Sequence, residues 1–286
     1  MKNLILFIFI GLSLTGCSLD KEYFDQTKTS AYSLSTDVIA NNLREEVSFT
    51  SGTETLYGIF ANPDGVNEAT PAADRITIIY FHARDKNIDK YWPRVESLFK
   101  LNSNGLPVNV FIFDYQGFGK STGKPSIAAL KRNSLAALNY VKSRADVNDD
   151  LIVYYAYSFG GIFAIDLGGN QNQIPAALIT ESIPHSAGRT VAIETGVQIP
   201  DSFLLNEGFN NYKSLKKIAA PTLMFHGQKD ETVPYKKNFA DLFSAARSPK
   251  ESVIVPNGGH SDLIAKRGED TYIDDIRDFL NANVLN

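Results

Sequence analysis

Three side chains of this sequence could carry out acyl transfer together, and none could do so alone: Ser158, Asp230 and His260. A serine hydroxyl is a poor nucleophile until a neutral imidazole accepts its proton. A carboxylate must then fix the tautomer of that imidazole and stabilise its charged form. Ser158 follows the apolar run Leu151–Ala156 and precedes Gly160, Gly161 and the helical pattern Ile162–Ile165. This puts the hydroxyl on a tight strand-to-helix turn, where the residues two positions either side, Ala156 and Gly160, must be small because strand and helix pass closely. Asp230 comes 72 positions later (230 minus 158), in a loop after Thr222–Phe225, and His260 follows Val255 and the pair Gly258 and Gly259. Singly, such a serine is most often a cap, such a histidine structural and such an aspartate solvated. Their shared placement after strands, in the order serine, acid, histidine, is what favours one site. Glu181, after Ala176–Thr180, is the reserve candidate for the acid, with a supporting or capping role preferred.

A scaffold must bring these distant residues together, and the apolar pattern supplies one. Ile76–Phe81, Val108–Phe113, Leu151–Ala156, Ala176–Thr180, Thr222–Phe225 and Ser252–Val255 are short runs without clean alternation, as strands covered on both faces should be. Val47–Thr50 and Leu56–Ala61 alternate around Ser51, Gly52 and Thr53 and predict an antiparallel hairpin. Helical stretches over 91–101, 127–144, 160–167, 236–246 and 270–280 lie between and after the strands. The alternation predicts an α/β fold, a mostly parallel eight-stranded sheet with helices on both faces and its ligands beyond the carboxyl ends of the strands.

Two further motifs are specific. His226, Gly227 and Asp230 followed by Val233 and Pro234 read H-G-x-x-D…V-P, and Asp114, Gly117, Gly119 and Ser121 read D-x-x-G-x-G-x-S. With them, the chain from about Ile76 to His260 resembles the α/β-hydrolases, in particular single-domain serine esterases of the monoacylglycerol-lipase-like, membrane-associated group. The resemblance implies an α/β-hydrolase fold with a nucleophile elbow at Ser158, and hydrolysis of an ester, thioester or lipid through an acyl-enzyme. It also implies two oxyanion donors: the Phe159 backbone N–H, and one from the first strand-to-helix loop, assigned to Ala83 and then to Arg84. Ala83 and Ala156 stand where the family usually has glycine. His82 is expected to brace its loop, since one base suffices. The glycines after Asp114 fit turn geometry and neither of the phosphate-binding fingerprints. Residues 182–214 fall where a lid is commonly inserted. Their stretch Ile199–Leu205 could line an acyl pocket or form an ordinary connecting helix, while Tyr91, Trp92 and Tyr157 could shape the entrance or simply pack. A peptidase using the same triad and a catalytically silent ligand-binding lipoprotein stay open as alternatives.

The chain starts with a lysine at position 2 and an apolar run over Leu4–Leu14. A spanning helix needs about 20 apolar residues, so this shorter run predicts a secretory signal peptide over 1–16. Leu14, Thr15, Gly16 and Cys17 resemble the lipobox of bacterial lipoproteins, which implies lipidation of Cys17 by several acyl chains, enough for stable anchoring. In that family a residue such as Ser18 goes with the outer rather than the inner membrane of the cell envelope. Polar residues as far as 42 predict a tether, giving a lipidated cysteine and tether over 17–42 and a hydrolase domain over 43–286. The expected partners are a small-molecule ester or lipid and, through the anchor, a membrane, with oligomeric state left open. A net charge of −4 without a concentration of Lys and Arg argues against nucleic acid. One cysteine and four dispersed histidines (82, 185, 226 and 260) give no zinc signature, and no cofactor is expected.

Overall fold

In the computed structural model, which describes residues 24–65, 74–198, 200 and 208–285, the apolar runs form one sheet. The chain runs through β1 (Asp25–Gln26), β2 (Arg44–Ser51), β3 (Glu54–Ala61), β4 (Ile76–Phe81), β5 (Asp85–Lys86), α1 (Ile88–Phe99) and β6 (Val108–Asp114). Next come α2 (Ile127–Lys142), β7 (Ile152–Tyr157), α3 (Gly160–Gly168), β8 (Ala177–Glu181), α4 (Ala187–Thr195) and α5 (Asn211–Leu215). The last elements are β9 (Thr222–Gly227), α6 (Tyr235–Ala245), β10 (Lys250–Val255), α7 (Leu263–Arg267) and α8 (Glu269–Asn283). Eight strands pair in the order β10-β9-β8-β7-β4-β6-β3-β2. Only the β2–β3 and β3–β6 pairs are antiparallel, so this is the mostly parallel α/β sheet expected.

The strand at its centre explains why its sequence is an unbroken apolar run. Tyr154 and Ala156 of β7 enter a core shared with α2, α3 and α6, while Val153, Tyr155 and Tyr157 enter one shared with α1 and α8. Every residue of β7 is buried, whereas the edge strand β2 alternates in exposure. Burying a large apolar side chain contributes about 1.5–3 kcal/mol, so two cores hold β7 from both faces and fix where its last residue points. Helix starts are set locally: Asn87 and Ser126 accept from the backbone N–H of Asp89 and Ala129 at the heads of α1 and α2.

The stretch expected as a tether is, from Phe24 onward, part of the folded body. Phe24 is buried, with its ring edge-on to Phe118 and Phe159 at centroid distances of 6.1 and 5.6 Å. β1 pairs in parallel with β5, and the Asp25 and Thr27 N–H groups donate to Arg84 and Lys86 carbonyls at 3.2 and 3.0 Å. The chain then crosses Gly119, the Tyr32 hydroxyl donates to Asp114 Oδ2 at 2.7 Å, and Ile39 is fully buried. The folded unit therefore begins no later than residue 24, not at 43. Backbone pairing and isolated anchors hold this polar segment, and neither requires hydrophobic periodicity. The expected signal peptide over 1–16, Cys17 and the remainder of the expected tether lie outside the described residues. Among those described, no helix is long and apolar enough to cross a membrane.

The 182–214 segment supplies α4 and most of α5. Its ends are stitched together by Ala187 N–H to the Phe209 carbonyl (3.1 Å) and Asn211 N–H to the His185 carbonyl (2.9 Å). Residues 199 and 201–207, most of the apolar stretch considered for an acyl pocket, lie outside the described residues.

Candidate active site

At the carboxyl end of β7 the backbone turns sharply into α3. Ser158 sits in this turn at φ +52°, a left-handed conformation that costs a non-glycine residue about 1–3 kcal/mol and persists only where its surroundings impose it. The constraints are visible. The Ser158 N–H donates to the Glu181 carbonyl at the end of β8 (2.8 Å), and its own carbonyl accepts from Gly161 N–H (3.0 Å). Gly160 closes the other side. A Cβ there would lie 2.6 Å from the Phe81 carbonyl carbon and 2.7 Å from the His82 oxygen, with the Phe81 oxygen nearer still, so only glycine lets α3 start this close to β4.

Asp230 and His260 follow β9 and β10, the two strands beyond β8. The Gln228 and Lys229 N–H groups donate to the carbonyls of Val255 and Gly258, which ties the acid loop to the histidine loop. Asp230 Oδ1 accepts from the backbone N–H of Thr232 (3.0 Å) and Val233 (2.8 Å), leaving Oδ2 to face the imidazole. Burial pushes this carboxyl up, but the hydrogen bond and charge of His260 and the Val233 N–H outweigh it and hold Asp230 below its ordinary range.

The three side chains meet: Ser158 Oγ is 2.8 Å from His260 Nε2, and His260 Nδ1 is 2.9 Å from Asp230 Oδ2. An ionised carboxylate can only accept, so Nδ1 carries the hydrogen and Nε2 presents a lone pair to the serine hydroxyl. In that tautomer the ring can take the serine proton as Oγ attacks, with Asp230 beside the resulting imidazolium.

Behind His260 lies a network that residue order does not reveal. The Tyr157 hydroxyl, one position before the serine, donates to the His260 carbonyl at 3.2 Å and lies 2.9 Å from Ser261 Oγ. Arg94 of α1 covers the Tyr157 ring at 4.1 Å and reaches the Ser261 carbonyl at 3.3 Å. Its guanidinium also grips the fully buried Glu181 in two hydrogen bonds, of 3.0 and 2.6 Å, and the hydroxyls of Tyr155 and Tyr272 share that carboxylate. Glu181, the reserve acid, is thus engaged with Arg94, and Asp230 is the carboxylate on the imidazole. Tyr157 carried a weak signal, as the residue immediately before the nucleophile. Nothing in the spacing singles out Arg94, on another helix.

The expected oxyanion residues border one small region. Phe159 precedes the first turn of α3, and the clearance at Gly160 sets that turn against the backbone of Phe81 and His82, immediately before Ala83 and Arg84. His82 is fully buried among Tyr91, Tyr115 and Phe118, and its Nδ1 donates to the Ala83 carbonyl at 2.8 Å, which braces the loop. Its Nε2 lies 3.5 Å from the equally buried Asp114. Burial moves this pair in opposite directions, the histidine down to about 4 and the carboxyl up to about 8, so both are mainly uncharged near neutrality. Asp114 therefore acts as a neutral clasp between the Tyr32 hydroxyl and the Ile88 N–H (3.1 Å). The turn after it needs Gly119 at φ +46°, where a side chain would collide with that carboxyl.

Known proteins resemble this chain in sequence and in fold. No family model matches the chain. The uncharacterized protein YfhR of Escherichia coli strain K12 is 33% identical over 243 residues, covering 82% of this chain and 80% of its own. Among solved structures, the Pyrococcus furiosus esterase Pf2001 superposes with a TM-score of 0.69 at 16% identity, over 91% of this chain and 99% of that one. Est1E of Butyrivibrio proteoclasticus, solved with ferulic acid bound, gives 0.65 at 18% identity, over 84% and 100%. At these identities the two structures speak to the fold, which they share.

Proposed function

We propose that this chain, which belongs to the family of Escherichia coli YfhR and has the α/β-hydrolase fold, is a serine hydrolase that cleaves carboxylic esters through an acyl-enzyme intermediate. One observation carries the reading: the continuous hydrogen-bond relay from Ser158 Oγ through His260 to Asp230, at 2.8 and 2.9 Å. Ser158 Oγ attacks the ester carbonyl while His260 Nε2 takes its proton, and the oxyanion is held by the Phe159 N–H and a donor of the 83–84 loop. His260 then returns the proton to the leaving alcohol. Water, deprotonated by the same imidazole, releases the acid and restores the serine. The relay does not select the acyl chain. Consistent with its lipobox-like sequence, Cys17 carries the lipid anchor that holds the enzyme in the bacterial cell envelope.

The test is covalent labelling joined to turnover. A fluorophosphonate probe should modify the wild-type chain at Ser158 and leave Ser158→Ala unmodified. Turnover of short-chain p-nitrophenyl esters should fall by about 10³-fold or more in that variant. Equal turnover by the two proteins across an ester panel would overturn the proposal.

A further inference from the structure

The first described residues lie beside the active centre, and with an anchor at Cys17 this would limit which way the enzyme can face. β1 pairs with the residues just after the loop of Ala83 and Arg84, and the Phe24 ring lies on that of Phe159, the residue that follows the nucleophile. Cys17 stands seven positions before Phe24. A fully extended chain advances at most about 3.6 Å per residue, so seven positions reach about 25 Å.

A folded body of this length has a radius of gyration of about 18 Å, hence an equivalent sphere of about 24 Å radius and a half-circumference of about 75 Å. A tether reaching 42 would have spanned about 90 Å and allowed any orientation. One that ends at Phe24 falls about threefold short of what would be needed to turn the carboxyl edge of the sheet away from the anchoring surface.

We infer that the segment from Phe24 to Thr29 acts as a docking strap, holding the Ser158 face of the lipidated protein toward its own membrane, so that the substrate is a long-chain acyl ester residing in that bilayer. The inference rests on the proposed hydrolase activity and on lipidation of Cys17. Confinement raises the local concentration of bilayer esters at the site over that of esters dissolved in the surrounding compartment, with no added contact. The apolar character around the nucleophile suits such a chain: Phe159 packs edge-on with Phe24, Phe163 and Phe209 at centroid distances of 5.6, 5.8 and 5.8 Å.

Orientation and substrate can be measured separately. The full chain, lipidated at Cys17, is reconstituted in vesicles of phosphatidylethanolamine and phosphatidylglycerol containing a headgroup-labelled acceptor lipid. A thiol-reactive donor dye is placed on one of two introduced cysteines, Lys229→Cys beside the active edge or Asp150→Cys at the opposite edge; both parent side chains are exposed. The two edges are separated by at least one strand length, about 20 Å, so transfer from position 229 should exceed that from 150 by roughly twofold or more. A flexible Gly/Ser spacer of about 40 residues inserted after Ser18 should shrink that difference. The same spacer should slow hydrolysis of vesicle-borne p-nitrophenyl palmitate by roughly threefold or more, with soluble p-nitrophenyl acetate unaffected.

Equal or reversed transfer from the two positions in the anchored chain overturns the orientation. Undiminished palmitate hydrolysis by the spacer variant overturns the substrate assignment. Protein that fails to float with the vesicles removes the anchor, and the inference with it. Protein that floats and orients as expected but hydrolyses neither ester instead refutes the hydrolase reading.

Discussion

Gly160→Ala isolates the geometry on which the oxyanion donors depend. The added methyl would lie 2.6 Å from the Phe81 carbonyl carbon and 2.7 Å from the His82 oxygen, where ordinary contact begins near 3.4 Å. Both obstacles are backbone, so no side chain can swing aside. The start of α3 and the end of β4 must separate by at least about 0.8 Å, and by more to clear the Phe81 oxygen. This movement pulls the Phe159 N–H away from the 83–84 loop. A misplacement of about 1 Å in a site of this kind costs on the order of 100-fold, whereas overpacking of the core costs about 1–3 kcal/mol of stability. Turnover of p-nitrophenyl acetate should therefore drop by about 100-fold, mostly in kcat, in a protein that still melts cooperatively a few degrees lower. Fluorophosphonate labelling of Ser158 should slow as well, because phosphonylation uses the same oxyanion donors. A folded Gly160→Ala protein with kcat within about threefold of wild type would show that the donors do not lie between α3 and the 83–84 loop, and the reasoning would fail.

Asp230→Asn should lower kcat by about 10⁴-fold with little loss of stability, since the amide disfavours the working tautomer. Glu181→Gln should do the converse, keeping most activity but losing about 3–5 kcal/mol in denaturant unfolding, because Arg94 is left charged without its buried partner. Tyr157→Phe removes only the hydroxyl behind His260; kcat should fall by about tenfold at unchanged KM, the value of one lost hydrogen bond in the positioned state. Asp114 supplies a pH test. Its folded value, raised by burial to about 8, means that its contribution to stability is complete below the unfolded value near 4 and is lost as pH rises through 8. His82, held down to about 4, titrates mostly below this range, so wild type should lose about 1.4 kcal/mol between about pH 7 and 9 that Asp114→Asn does not lose, as followed by thermal unfolding.

What could be read from the sequence was whatever is encoded locally or by order along the chain. β7 is legible because a strand buried on both faces must be apolar at every position, and the turn after it because Gly160 has no room for a methyl group. The meeting of Ser158, Asp230 and His260 could be anticipated because in a parallel sheet the residues after neighbouring strands share one edge. Arg94 was hidden because its partner Glu181 lies 87 positions away on a strand, and an ion pair has no periodicity. The strap was hidden for a related reason. From Phe24 to Thr29 it binds through backbone N–H and carbonyl groups that every residue carries, so its polar composition reads as unstructured although its placement is specific. Under the proposed lipidation of Cys17, a body beginning at 43 could meet its membrane from any side, whereas one already folded at Phe24 could not turn its reactive edge fully away from it.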